Sequence, residues 1–249
     1  MKIAVIALGK IGLPLAVQFA SRGHEVVGVD VNAQTVAEVA AGRVPFPGEA
    51  ELPERLSAVI ESGALRATQD YADAVPDADA VVIVVPLVVD LDARPDFTWM
   101  DAATRQLGEH LTPGTLVSYE TTLPVGTTRE RWVPMLEETS GLREGADFHV
   151  VFSPERVLSG RIFADLRKYP KLIGSLSPPA AHWPPRSMRA CWSSTSVPTW
   201  CGRTASGTSA LSRPQSSRSS PKPRTATSTS GWPTSSRATP RRSASTSTR

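Results

Sequence analysis

The first thirty residues restrict the fold more than any other stretch of the chain. Lys2–Ile6 (KIAVI) is β-branched and apolar throughout, as in a strand buried on both faces. It runs into Ala7-Leu8-Gly9-Lys10-Ile11-Gly12-Leu13-Pro14, then a helix pattern over Leu15–Ser21 with a stop at Arg22-Gly23. His24–Asp30 (HEVVGVD) reads as a second strand that ends in a carboxylate. Strand, glycine turn, helix, strand and acid in that order make one βαβ unit with a phosphate-binding turn.

Each residue type in that turn has a physical task. Gly9 lets the backbone approach a pyrophosphate, and Gly12 lets the helix pack closely on the sheet. The helix start, with Lys10 and Ile11 in the turn before it, offers free N–H groups and a positive dipole end to phosphate. Asp30 stands 18 residues after Gly12, where a carboxylate accepts hydrogen bonds from ribose hydroxyls and repels a 2′-phosphate. The spacing therefore predicts NAD rather than NADP. One position departs from the GxGxxG pattern: Ala7 replaces the first glycine, so the turn is AxGxxG and binding is expected to be weakened, not abolished.

Strands and helices go on alternating. Helices are expected at Ala33–Ala41, N-capped by Asn32, and at Pro53–Ser62, with a stiff proline loop at 44–53 between them. Ala78–Pro86 reads as an inner strand, Met100–His110 as a helix, and Thr115–Tyr119 and Phe148–Phe152 as further strands. Thr127–Leu136 is expected to be helical until Pro134 kinks or ends it. The alternation predicts an α/β fold, a doubly wound parallel sheet of Rossmann type, whose ligands sit at the carboxyl ends of the strands. Val85–Leu87, Glu120–Thr128 and Ser153–Gly160 fall there, and Pro86 and Thr121 join Gly9, Lys10, Ile11, Gly12 and Asp30 as cofactor-contacting candidates.

Five strings now carry a resemblance: ALGKIGLPLA (7–16), GVDVN (28–32), VVPLVVD (84–90), YETTLPVGTT (119–128) and SPERVLSGR (153–161). In this order they resemble the NAD-binding domain of the UDP-glucose/GDP-mannose dehydrogenase family, in particular its UDP-N-acetylmannosaminuronate branch. The resemblance implies a two-step oxidation of a nucleotide-sugar CH2OH to a carboxylate with two NAD. A cysteine thiolate holds the aldehyde, a lysine stabilises the oxyanion, and an activated water releases the acid. It also implies that Thr122 and Glu155 position this water or relay protons. Ser159 stands where the UDP-glucose enzymes carry a further acid, which favours an amino-sugar substrate. On their own residues, Thr121-Thr122 before Pro124 could equally end a strand, and Glu155 could be a first-turn acid.

His24, His110 and His149 share no metal-ligand spacing, so no metal is expected, and Lys168 and Lys171 read as a solvated basic face. A β-hydroxyacid dehydrogenase begins with a similar cofactor domain, but it leaves YETTLPVGTT and SPERVLSG unexplained. A non-catalytic NAD-binding remnant with a basic tail is the non-enzyme alternative.

Composition matters at residue 174, where the family pattern stops. Residues 1–174 hold 16 Lys and Arg against 24 Asp and Glu, a balance of −8. Residues 175–249 hold 11 basic side chains and no acid, with 20 Ser, 11 Thr, 10 Pro and 10 Arg. Such a segment cannot offset its ordering entropy, so it reads as a disordered tail after a 1–174 domain. The family's central helix, its nucleophile segment and its second domain, through which members dimerise, do not appear in it. Cys191 and Cys201 lie outside any G-x-C-x-P context.

Reading the tail's codons one base out of frame explains its make-up. From Ser212 to Ser236 the permitted residues include EAAEVTKLAEAAYRDVNIGLANEF, which resembles the central helix with its lysine. Trp200-Cys201 forces Val and Trp232-Pro233 forces Ala, and both fit. The family's asparagine, four residues after that lysine, is not permitted, because Lys222-Pro223 allows only Ala or Thr. A frame change near Gly174–His182 is therefore expected. The rival is a basic Ser/Arg/Pro segment that binds nucleic acid electrostatically. No membrane span is expected, because the longest apolar run is Ala80–Val89, and a cytoplasmic chain follows from the lack of a signal pattern. The expected partner is a UDP-sugar, with no nucleic acid and no membrane.

Overall fold

The computed structural model describes residues 1–177. Seven strands form one sheet: β1 (Lys2–Ile6), β2 (Glu25–Val29), β3 (Leu65–Thr68), β4 (Ala80–Ile83), β7 (Leu116–Tyr119), β8 (His149–Phe152) and β9 (Gly174–Ser175). Their order is β3-β2-β1-β4-β7-β8-β9. All neighbours run parallel except β9, which pairs antiparallel to β8 through Val151–Ser175 and Phe152–Gly174. A separate two-stranded hairpin joins β5 (Val88–Val89) to β6 (Pro95–Asp96).

Alternation along β1 sends Ile3 and Val5 to one face and Ala4 and Ile6 to the other, and two cores result. On the first face lie α1 (Gly12–Ala20), α2 (Ala33–Ala40), α3 (Leu52–Glu61) and α7 (Ile162–Lys168), with Leu13, Leu56 and Phe163 buried. On the second lie α4 (Tyr71–Ala74), α5 (Thr98–His110) and α6 (Val133–Ser140), with Leu107, Trp132 and Leu136 buried. Trp132 stacks on Tyr119 at 4.8 Å between ring centroids and donates its indole N–H to Asp101 at 3.0 Å.

Asn32 caps α2 as expected, accepting from the backbone N–H of Gln34 and Thr35. Two expectations need correction. Helix α1 begins at Gly12, three residues before Leu15, because Leu13 N–H already bonds Gly9 O at 3.0 Å. Pro134 does not end a helix but opens one: a π-helical turn, Thr128–Trp132, precedes α6, and Pro134 occupies its first turn, where no N–H is required.

The ordered chain runs past residue 174. Ser175 pairs with Val151, and Ser177 Oγ donates to Glu144 Oε1 at 2.9 Å. The basic tail expected to lack structure lies, from residue 178 on, outside the described residues, as do Cys191 and Cys201. No helix among the described residues is long and apolar enough to cross a membrane.

Candidate functional site

The site is built on the carboxyl edge of the sheet. Because the strand order reverses between β1 and β4, the turn after β1 and the loop after β4 diverge and leave a crevice. The turn after β1 holds Gly9 and Lys10, both exposed, with Ile11 half-buried. Ala7 adopts φ 78°, the left-handed conformation that the missing glycine would take without strain. A Cβ on Gly12 would stand 1.9 Å from the Ala7 carbonyl oxygen, so this glycine is required by the turn itself. A Cβ on Gly9 would meet nothing within 4 Å, which leaves the space above the turn open to a ligand. Helix α1 has no side-chain cap; Leu13 N–H bonds Gly9 O, Leu15 N–H bonds Ile11 O and Pro14 has no N–H, so within its first turn the Gly12 N–H remains for an anion.

Asp30 follows β2 and already has two backbone duties. Its Oδ2 accepts from Leu8 N–H at 2.8 Å and its Oδ1 from Asn32 N–H at 2.9 Å. Each oxygen keeps a further lone pair for a ribose hydroxyl. Gly28 is a residue that motif reading passed over: a Cβ there would come within 2.6 Å of Leu8 Cδ2, so its absence lets Leu8 anchor the turn.

Pro86 is exposed after β4, and Thr121 Oγ donates to Val85 O at 2.7 Å, tying the loops after β4 and β7 together. Thr122 follows on that loop with an exposed side chain. Glu155, after β8, is drawn beside β7 by a bond from its backbone N–H to Glu120 O at 2.9 Å. The candidate cofactor and acid–base positions thus occupy neighbouring loops of one sheet edge.

Lys171 requires the main correction. It does not lie on a solvated basic face; its side chain is only 9% exposed and binds two carboxylates. Its Nζ donates to Glu155 Oε2 at 2.6 Å and to Glu120 Oε2. Glu120 Oε1 also accepts from Ser118 Oγ at 2.7 Å. Burial pushes the Glu120 carboxyl above its ordinary range, against the pull of the Lys171 charge. Burial works to lower the Lys171 ammonium, but the Glu120 and Glu155 charges outweigh it and hold it above its ordinary value. Sequence reading missed both residues, because only tertiary contact reveals that a single charge serves two acids. Lys168 sits in the last turn of α7, its ammonium 5.9 Å from the Tyr169 ring.

A second group of contacts shapes the 153–160 loop. Glu49 is buried and accepts from Gly160 N–H and from Ile162 N–H at 3.3 Å, and Asp165 accepts from Leu158 N–H at 3.1 Å. Glu49 and Gly160, with Lys10, Phe46 and Ser159, border a hollow of about 180 Å³. His24, His110 and His149 stand at the ends of separate elements. Among the described residues no three His, Cys, Asp or Glu side chains gather as a metal ion would need.

Comparison with known proteins accords with this geometry. A family model described as the UDP-glucose/GDP-mannose dehydrogenase family, NAD binding domain, matches residues 1–192. UDP-N-acetyl-D-mannosamine dehydrogenase of Pyrococcus horikoshii is 40% identical over 182 residues, covering 73% of this chain and 43% of the relative. The Escherichia coli K12 enzyme of the same name is 37% identical over 182 residues, covering 71% of this chain and 42% of its own. The solved Pyrococcus horikoshii UDP-D-ManNAc dehydrogenase superposes with a TM-score of 0.71 at 37% identity, covering 77% of this chain and 44% of that one. A ternary complex of Pseudomonas aeruginosa GDP-mannose dehydrogenase gives 0.68 at 29% identity, covering 71% and 41%. This chain therefore spans less than half the length of these relatives.

Proposed function

The chain belongs to the UDP-glucose/GDP-mannose dehydrogenase family, and we propose that its folded part is the cofactor half of an NAD-dependent nucleotide-sugar 6-dehydrogenase for a UDP-amino sugar. The observation that carries this reading is convergence: the glycine turn, Asp30, the Pro86 loop, Thr121-Thr122 and Glu155 share one sheet edge.

In this reading Gly9, Lys10, Ile11 and Gly12 receive the pyrophosphate at the start of α1, and Asp30 takes the adenosine ribose. Pro86 and Thr121 flank the cofactor across the crevice. NAD, when bound, supplies the hydride acceptor. Thr122 helps orient water and Glu155 accepts its proton as the second oxidation ends. The two steps together convert CH2OH to a carboxylate, with two NAD reduced and one water consumed. In this reading residues 175–249 offer no counterpart of the thiolate, the oxyanion lysine or the sugar-nucleotide domain. We therefore assign no turnover to these residues alone, and we attribute the tail to a frame change near Gly174–His182, supported by the helix string in the alternate frame. The reading places the chain in the cytoplasm, serving the supply of cell-surface polysaccharide precursors.

Calorimetric titration of the full chain tests the cofactor assignment. NAD is expected to bind, and NADP about ten-fold or more weaker, a difference of roughly 1.4 kcal/mol or above, because its 2′-phosphate meets Asp30. Folded protein that takes up no NAD would sink the reading. NADH formation from a UDP-sugar would refute the assignment of no turnover, and stop codons in the alternate frame across codons 170–185 would refute the frame change.

A further inference from the structure

The group that the proposed chemistry leaves unexplained is the enclosed trio of Glu120, Lys171 and Glu155. Their side chains are 0%, 9% and 10% exposed. One ammonium faces two enclosed carboxyl groups, and burial drives one of them, Glu120, toward its neutral form, so stability alone does not select such an arrangement. An apolar trio of similar volume generally holds two strand ends as well, without the desolvation penalty.

The geometry points instead to a task at Glu155. Its backbone N–H is fixed to Glu120 O at 2.9 Å, and its Oε1 accepts from Arg156 N–H at 2.9 Å. Its Oε2 accepts from Lys171 at 2.6 Å. Lys171 is itself held by Glu120, whose other oxygen is held by Ser118 at 2.7 Å. The neighbouring backbone is pinned as well, with Ser153 Oγ donating to Leu172 O at 2.9 Å. We propose that Lys171 is the positioning residue of Glu155: anchored on the buried Glu120, its ammonium fixes the Glu155 carboxylate at the sheet edge beside the Thr122 loop. This rests on the reading of Glu155 as the acid–base group. Lys171 touches neither cofactor nor substrate and acts only through Glu155.

The test is carbodiimide–glycinamide labelling of the folded full-length chain, read peptide by peptide by mass spectrometry. Glu49 serves as the internal reference, because it is buried nearby and bonds the same loop without touching Lys171. Lys171→Met is expected to raise Glu155 labelling about five-fold or more relative to Glu49, the ratio expected for losing roughly 1 kcal/mol of restraint. Lys171→Arg is expected to restore it to near the original level, since a guanidinium can still serve both carboxylates. Glu120→Gln weakens the anchor of Lys171 and is expected to raise Glu155 labelling about two-fold relative to Glu49, less than Lys171→Met because the Lys171–Glu155 contact remains. Unchanged labelling in Lys171→Met, or an equal rise at Glu49 and Glu155, overturns the proposal. Should Lys171→Met not fold, the other two variants decide. In that case a rise at Glu155 over Glu49 in Glu120→Gln, with Lys171→Arg near the original level, upholds the proposal, and unchanged labelling in Glu120→Gln overturns it. NAD titration of the unaltered chain tests the cofactor reading separately, so each can fail without the other.

Discussion

At Ala7 a side chain stands where the turn calls for none. Its φ of 78° costs a residue with a Cβ about 1 kcal/mol, offset in part by the extra freedom glycine would have when unfolded. Ala7→Gly is therefore expected to raise the midpoint of thermal unfolding by about 2–4 °C. Gly12→Ala should act the other way, because its Cβ would displace the Ala7 carbonyl from 1.9 Å, at a cost of roughly 2 kcal/mol or more. Thermal denaturation of both variants checks the pair, and a destabilised Ala7→Gly would show that the turn is not strained. The turn was legible in the sequence because its parts lie within thirty residues and each glycine answers a local steric demand. Lys171 was not legible. Its partners are 51 and 16 residues away, and nothing in Pro170-Lys171-Leu172 distinguishes a buried ammonium from a solvated one.

Among the described elements, α5 and α6 approach closely. A Cβ on Gly108 would fall 1.8 Å from Thr139 Oγ and 2.9 Å from its Cβ. Gly108→Ala is expected to destabilise the domain by about 1–3 kcal/mol, and adding Thr139→Ala should recover part of that loss. Chemical denaturation of the two variants measures the recovery. A different contact joins α3 to α7. Glu51 accepts from Arg167 at 2.9 Å and Arg55 at 2.6 Å, and Arg55 lies 4.7 Å above the Phe163 ring. The hydrogen bonds from Arg167, then from Arg55, hold the Glu51 carboxyl down at about 2. A depressed carboxylate stabilises above its unfolded value, and that stability is lost as pH falls through the folded one. The advantage of the native chain over Glu51→Gln should thus be full at neutral pH and disappear between pH 4.5 and about 2. The side chains are more than a third exposed, so it is expected to be small, about 0.5–1 kcal/mol, and to shrink with salt. Unfolding midpoints of the two chains across that range check the trend. Long periodic elements such as α5 were legible from pattern, with ends off by a residue or two. Leu65–Thr68, Tyr71–Ala74 and Ile162–Lys168 were not, because four to seven residues carry too little period to separate strand, helix and loop.

For the whole molecule, the overall charge of +3 is the sum of −8 over residues 1–174 and +11 over residues 175–249. A basic partner deduced from the sum would be deduced from the second stretch. All seven strands of the sheet lie between Lys2 and Ser175, and Leu176 still packs against the second core. The enclosed trio then bears on how the chain is made. Glu120 is made before its counter-charge, which is encoded 51 residues later. At roughly 5–20 residues per second, that is an interval of about 3–10 s in which a carboxylate waits without its cation. The contact that joins the three side chains can form only once Lys171 has emerged, so synthesis itself sets the earliest moment at which this edge is held.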